Sequence, residues 1–323
     1  MASSNGAKQS NPDPTPVVDS KRVWTTLITN TDYLPGLLTL DFSLKKSGSK
    51  YPLVALYTDT FPQDGCSALK SRGIPAKKVA YLLPSVEKDY SNDPRFYDCW
   101  SKLTPFSLIE YDRVVQLDSD MMVLQNMDEL MEMELDAPST EAKGDRVFAA
   151  SHACVCNPLK KPHYPKDWVP ENCAFTTQHS TPDKAQEEGA HSTTGFGMPN
   201  GGLQVVNPSV ATYNLISNRM NDESAMAYDF ADQSLLSDLF RGRWVALPYT
   251  YNALKTMRWR NAHSEIWRDD KVKNIHYLLS PKPWDETEEQ KSKPERDEPN
   301  AWWWKFNDER KQMEREKGID DKF

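Results

Sequence analysis

The segment Val114-Val115-Gln116-Leu117-Asp118-Ser119-Asp120-Met121-Met122-Val123-Leu124 sets two carboxylates, one residue apart, between two apolar runs. A short apolar run bounded by polar residues reads as a buried strand. Residues i and i+2 of an extended chain share a face, so Asp118 and Asp120 can converge on one point. Two ionised carboxylates that close repel unless a cation lies between them. Hard oxygen ligands at this spacing suit Mg²⁺ or Mn²⁺, with a phosphate completing the shell. The same pattern is also compatible with a strand ending in a solvated turn, because Asp-x-Asp is short and common.

The surrounding chain alternates between two periodicities. Val23–Thr29 and Leu53–Thr58 are β-branched and aromatic runs, hence strands, and Lys78–Leu83 is a shorter one. Leu34, Leu37, Leu38, Leu40 and Leu44 recur at helical spacing, and Ser67–Arg72 is helical. Strands alternating with helices predict an α/β fold with a mainly parallel, Rossmann-like sheet covered by helices on both faces. Ligands of such sheets sit beyond the carboxyl ends of the strands, where both the Thr29-Asn30 corner and the Asp118/Asp120 corner fall. Pro94–Ser101 reads as a connection, and Leu103 to Ile109 as a helix that Pro105 kinks or begins. Further strands are expected at Val147–Ala150, Leu203–Val206, Trp244–Leu247 and Val272–Tyr277.

Three segments stand outside this pattern. Residues 1–20 are rich in Ser, Asn and Pro and read as a disordered arm. A Pro-, His- and Cys-rich insert runs from about 152 to 198, within a single domain over 21–286. Residues 287–323 form a charged tail carrying Trp302-Trp303-Trp304, whose Asp308–Lys317 part predicts a solvated helix.

The net charge of −8 excludes a nucleic-acid partner, whose phosphates need a basic face. No apolar run approaches the roughly 18–20 residues a membrane span needs. The first twenty residues have no apolar core of a signal peptide, and five cysteines, an odd number, fit a reducing compartment, so a cytoplasmic location is expected. No Gly-x-Gly-x-x-Gly, Walker-type or Gly-x-Ser-x-Gly segment occurs, which removes dinucleotide, P-loop and serine-hydrolase readings.

Other residues acquire meaning only together. His276, on an apolar strand, is either a hydrogen-bonded core residue or an imidazole ligand beside the two carboxylates. Lys282 is either a surface lysine or the charge that neutralises a departing phosphate. Asn200-Gly201-Gly202 is either a plain turn or a strand entrance that lets a ligand approach the backbone. Asp229 and Asp232 bracket a helix start, and Asp232 alone is most simply an N-cap. The insert gathers His152, Cys154, Cys156, His163, Cys173, His179 and His191. Cys-x-Cys near histidines can close a zinc site, but this spacing matches no strong zinc pattern, and packed, unliganded thiols are the simpler reading.

In order along the chain, these pieces resemble the retaining glycosyltransferases of family 8, the glycogenin and galactinol synthase group. The resemblance covers about Arg22 to Glu286 without the insert. It rests on Thr26–Tyr33, Trp100–Leu103 with Glu110–Asp112 and Leu117–Asp120, Asn200–Ser209, Asp232–Leu236, Leu247–Tyr249 with Tyr251-Asn252, and His276–Trp284. The insert and the cytosolic character look more like galactinol synthases, which use UDP-galactose and myo-inositol.

The resemblance implies a nucleotide-diphospho-sugar (GT-A type) fold and transfer of galactose or glucose from a UDP-sugar to an acceptor hydroxyl of a small polyol or sugar. It implies Mn²⁺, or Mg²⁺, held by Asp118, Asp120 and His276. Leu27, Thr29, Asn30 and Tyr33 would receive the uridine, and Lys102 and Lys282 would face the sugar and diphosphate. Asn200, Gly202, Asp229, Asp232 and Gln233 would surround the sugar and acceptor, with Asp232, Gln233, Lys102 and Asp229 as the catalytic set. Retention could come from same-face attack or from a covalent intermediate. Members of this family often form dimers. One departure stands out: the family's motif has glycine three residues after the histidine, and here that residue is Leu279, which predicts a reshaped loop. A non-catalytic sugar-nucleotide-binding scaffold and a self-glucosylating primer are the alternatives.

Overall fold

In the computed structural model, which describes residues 15–85, 88–294 and 296–323, ten strands form two sheets. The strands are β1 (Arg22–Ile28), β2 (Leu53–Tyr57), β3 (Ala76–Lys78), β4 (Arg113–Leu117), β5 (Met121–Val123), β6 (Phe148–Ala150), β7 (Leu203–Val206), β8 (Val245–Ala246), β9 (Ala253–Leu254) and β10 (Asn274–His276). The large sheet has the order β3-β2-β1-β4-β7-β6-β8, with only β7 antiparallel to its neighbours. The helices are α1 (Leu34–Lys46), α2 (Gln63–Ser71), α3 (Arg95–Cys99), α4 (Val210–Met220), α5 (Ala231–Leu239), α6 (Glu288–Lys291) and α7 (Glu298–Glu316).

Strand alternation builds a core on each side of the large sheet. Phe148, Ala150 and Val206 pack with Ile216, Met220, Leu235 and Leu236 of α4 and α5. Their neighbours Ala149, Leu203 and Val205 pack on the opposite side with Val115, Leu117 and with Leu40 and Leu44 of α1. The central strands are apolar on both faces for this reason.

The small sheet positions the site. Its order is β5-β10-β9, and the Val272–Tyr277 run predicted as a last strand joins this sheet rather than the large one. β10 pairs antiparallel with β5, setting His276 opposite Met121. Strands of two or three residues such as β5 and β9 show no readable periodicity in sequence.

Several expectations shift. Pro94–Ser101 is helical: α3 runs directly into a 3₁₀ segment, Trp100–Ser107, that contains Pro105. Tighter 3₁₀ bonding accommodates a residue without an N–H in one short stretch. The expected disordered arm lies outside the described residues up to position 14, while Val17 N–H donates to the Tyr111 hydroxyl at 3.2 Å. The charged helix α7 is solvated on one face only. Trp303, Asn307 and Arg310 are buried, Asn307 accepts from Thr39 of α1 at 3.3 Å, and Glu314 bridges Arg310 and Arg72. The Trp303 ring packs 5.4 Å from that of Trp284, and Trp304 Nε1–H donates to Pro283 O at 2.9 Å, so the tail buttresses the loop after β10. Among the described residues no helix is long and apolar enough to cross a membrane.

Candidate active site

The Asp-x-Asp segment converges through a turn, not through strand alternation. β4 ends at Leu117, and the chain reverses as Met121 N–H donates to Asp118 O at 3.1 Å. Asp118 N–H bonds Gly202 O (2.8 Å), and Tyr277 N–H bonds Asp120 O (2.8 Å). The turn is thereby held by β7 on one side and β10 on the other. The first turn of α1 closes over it: a Cβ on Gly36 would lie 2.3 Å from Ser119 O, so no side chain is accommodated there.

Asp118, Asp120 and His276 bring one ligand atom each within 4.8 Å of one another. His276 Nε2 lies 3.3 Å from Asp120 Oδ1 and 3.7 Å from Asp118 Oδ2. Its other nitrogen is accounted for by a hydrogen-bond chain whose polarity a backbone amide fixes. Gly202 N–H, necessarily a donor, bonds Asn200 Oδ1 at 3.0 Å. The same oxygen accepts from Asn252 Nδ2 at 2.9 Å, which turns Asn252 Oδ1 toward His276 Nδ1, also at 2.9 Å. His276 therefore donates from Nδ1 to Asn252, which leaves Nε2 as the nitrogen that faces the carboxylates. Two carboxylates and one imidazole nitrogen form a hard, mixed O/N donor set that fits Mn²⁺. Asn252 stood in the sequence beside Tyr251 with no role attached; only this chain of contacts reveals one.

Lysines balance the acids. Lys282 Nζ lies 2.5 Å from Asp120 Oδ2 and 2.8 Å from Tyr277 O, and is buried at 3% exposure. Lys102 Nζ lies 2.7 Å from Asp118 Oδ2. Burial alone would raise the pKa of Asp120, but the Lys282 ammonium and His276 outweigh it and hold the carboxyl well below its usual range. Burial likewise works against the charge of Lys102, and Asp118 overcompensates, so its pKa lies well above the ordinary lysine value. Both lysines thus contact the acids themselves, one on each.

The two glycines of Asn200-Gly201-Gly202 make room for side chains of the protein. A Cβ on Gly201 would lie 2.1 Å from Asp232 Oδ2, and one on Gly202 2.6 Å from His276 Cε1. Gly201 N–H bonds Gln233 Oε1 at 2.9 Å, fixing that side chain too. Asp232 is buried at 2% exposure with no cap hydrogen bond, so it is not the N-cap its position suggests. Burial raises its pKa to about 7, with Lys102 opposing and Asp118 reinforcing. Asp229 does not join this group. It is exposed and pairs with Lys88 at 2.7 Å, while Phe230 next to it turns into the cavity.

A cavity of about 240 Å³ joins these residues. Asp118, Asp120, His276, Lys102, Asn200, Gly202, Asp232 and Gln233 border it together with Leu27, Thr29, Asn30 and Tyr33. Thr29 Oγ1 donates to Asp98 (3.0 Å), and Asn30 Oδ1 caps the following turn through Asp32 N–H (3.0 Å). Lys282 reaches the site through Asp120 and lies 5.4 Å from the Tyr33 ring centroid. Arg95 and Asp98, which the sequence reading passed over as part of a connection, also line it. So do Tyr164 and Trp168 of the insert, the latter stacked on Phe230 with ring centroids 4.2 Å apart. Leu279 borders the cavity with φ of 69°, the left-handed conformation glycine would take. A leucine thus holds a backbone conformation that favours glycine, at a cost of about 1–2 kcal/mol.

The sheet is of the GT-A type, with two acids and a histidine that could hold a metal ion at the carboxyl end of its central strand, and residues 25–288 match the model of glycosyl transferase family 8; the chain belongs to that family of glycosyltransferases. It is similar to galactinol synthase 1 of Solanum lycopersicum, 28% identical over 295 residues, which span 88% of this chain and 81% of that one. Galactinol synthase 2 of Arabidopsis thaliana is likewise 28% identical, over 90% of this chain and 82% of its own. Among solved structures the fold resembles a galactosyltransferase, LgtC, in complex with donor and acceptor sugar analogs (TM-score 0.55, 14% identity, 89% of this chain and 96% of that one). It also resembles the apo-form glycosyltransferase GlyE of Streptococcus pneumoniae (TM-score 0.53, 17% identity, 88% and 60%).

Proposed function

We propose that the protein is a Mn²⁺-dependent, retaining hexosyltransferase that moves galactose, or glucose, from its UDP-sugar to a hydroxyl of a small polyol or sugar, with myo-inositol the first acceptor to try. The observation that carries this reading is the His276 ring, held by Asn252 so that its Nε2 joins two carboxylates. Asp118, Asp120 and His276 would hold the ion, which when bound supplies positive charge to a diphosphate as its bond to the sugar breaks.

The chain's own groups do the rest. Lys282 and Lys102, each reaching the site from one side of the acids, add fixed positive charge where the leaving nucleotide gains negative charge. Leu27, Thr29, Asn30 and Tyr33 form the wall against which the uridine would lie. Asp232 and Gln233, seated against Gly201 and bordering the cavity, would face the sugar. An Asp232 carboxyl with a pKa of about 7 can donate or accept a hydrogen bond near neutrality, which suits a sugar hydroxyl in either role. Galactose and myo-inositol are favoured by the relatives named galactinol synthase.

The test is UDP release from UDP-galactose and UDP-glucose with Mn²⁺, with and without myo-inositol. Release with UDP-galactose that rises with myo-inositol and vanishes on chelation is expected. Absence of release with both donors, over a panel of polyol and sugar acceptors, overturns the reading.

A further inference from the structure

The insert carries a second cluster of metal-ligating atoms, chemically unlike the first. Cys154, Cys156 and Cys173 surround Nε2 of His263, with Sγ–Nε2 distances of 3.4, 3.2 and 3.3 Å. All four ligand atoms lie within 4.8 Å of one another, and His263 comes from outside the insert. The neighbouring histidines of the insert do not supply the fourth ligand: His152 bonds Ala190 O, and His179 bonds the other nitrogen of His263. This is why the spacing within the insert showed no zinc pattern, since the fourth ligand is supplied by tertiary contact.

We propose that these four residues bind one structural zinc ion that closes the base of the insert. A single imidazole nitrogen can accept from only one thiol, yet three sulfurs converge on it, which ordinary hydrogen bonding does not explain. A tetrahedral ion with bonds of about 2.3 Å to sulfur and about 2.0 Å to nitrogen places these ligand atoms about 3.5 Å apart, close to the separations here. Three thiolates and one imidazole fill four positions, the closed arrangement of a structural site, and soft sulfur separates this ion from the oxygen-ligated one. On binding, the three thiols release their protons to solvent while His263 keeps its own on Nδ1.

An outer shell is also present. His263 Nδ1 lies 3.0 Å from His179 Nε2, and His179 Nδ1 faces the Glu265 carboxylate at 3.9 Å. With Nε2 on the metal, Nδ1–H donates to His179, the relay that orients metal-bound histidines.

The site has a role in the fold. Cys156 and Cys173 bracket residues 157–172, whose backbone hydrogen bonds are short-range turns such as Tyr164 N to Lys161 O and Asn172 N to Val169 O. That segment nonetheless delivers Lys161, Tyr164 and Trp168 to the cavity wall. Clamping both ends to His263 removes much of the entropy that would otherwise let this wall open.

The full-length chain, purified without a metal-binding tag, is analysed for metal by mass spectrometry, and cobalt is then exchanged in. About one zinc per chain is expected, together with the thiolate-to-cobalt charge-transfer and intense visible bands of a tetrahedral cobalt site. Cys173→Ser should lose both, and stripping zinc from the unaltered chain should speed proteolytic cleavage within 157–172 at least several-fold. Iron in place of zinc, less than about a tenth of an equivalent of metal with no cobalt bands, or cleavage indifferent to stripping overturns the proposal. The cobalt spectrum of the unaltered chain decides the matter even if the serine variant fails to fold. None of these readouts depends on sugar transfer, so the zinc site stands or falls separately from the proposed activity.

Discussion

Gly202 and His276 are packed so closely that a methyl group on the first would lie 2.6 Å from Cε1 of the second. The glycine also donates the backbone hydrogen bond that sets the Asn200-Asn252-His276 chain. One residue thus makes space for the imidazole and fixes its tautomer.

Gly202→Ala should displace the ring. Overpacking of this kind costs about 1–3 kcal/mol, and the misplaced ligand about 10–100-fold in metal affinity. Thermal unfolding and the Mn²⁺ concentration for half-maximal UDP release measure the two effects. An alanine variant with unchanged Mn²⁺ dependence would show that His276 is not a ligand.

Asn252→Leu removes the acceptor for His276 Nδ1–H without touching any carboxylate. A loss of about 10–100-fold in Mn²⁺ affinity is expected, since outer-shell partners tune metal sites by that factor. Asn252→Asp retains an acceptor and should recover much of it. Equal behaviour of the leucine and aspartate variants would contradict the tautomer argument.

Asp120→Asn is not a clean probe of the metal. It leaves the Lys282 ammonium, 3% exposed, without its carboxylate, and breaking such a pair typically costs about 3–5 kcal/mol. Asp120→Asn with Lys282→Met removes both charges and should regain most of that stability. Urea unfolding compares the two, and Mn²⁺-dependent release should be lost in both. A single variant as stable as the parent would mean that the pair is not buried as described.

Asp232 couples stability to pH. Its folded pKa of about 7 is raised above the unfolded carboxylate value of about 3.9. Between the two the folded state binds the extra proton, so this group's contribution falls as pH rises from about 4 to about 7 and stays lost above that. Asp232→Asn removes the titration and should flatten that part of the stability curve, while activity should fall because the side chain borders the cavity. Unfolding curves of both proteins from pH 5 to 8 test this; parallel pH dependence would show that Asp232 ionises normally.

The sequence by itself determined the parallel sheet, through apolar runs alternating with helical spacing, and the two acids at the end of its central strand. It also indicated the glycines at 201 and 202, because a missing Cβ is a local property. Which side chains those glycines accommodate was decided by the tertiary fold: Asp232 and His276. The same holds for Asn252 beside His276, and for His263 among three cysteines of a distant loop. Such pairings depend on strands of two or three residues and on side-chain hydrogen bonds across the chain, which leave no periodic trace. Asp229 and Asp232 make the contrast plain. Both are acids near one helix start, yet one is exposed on Lys88 and the other buried beside Lys102, since helix packing alone sets which way each points.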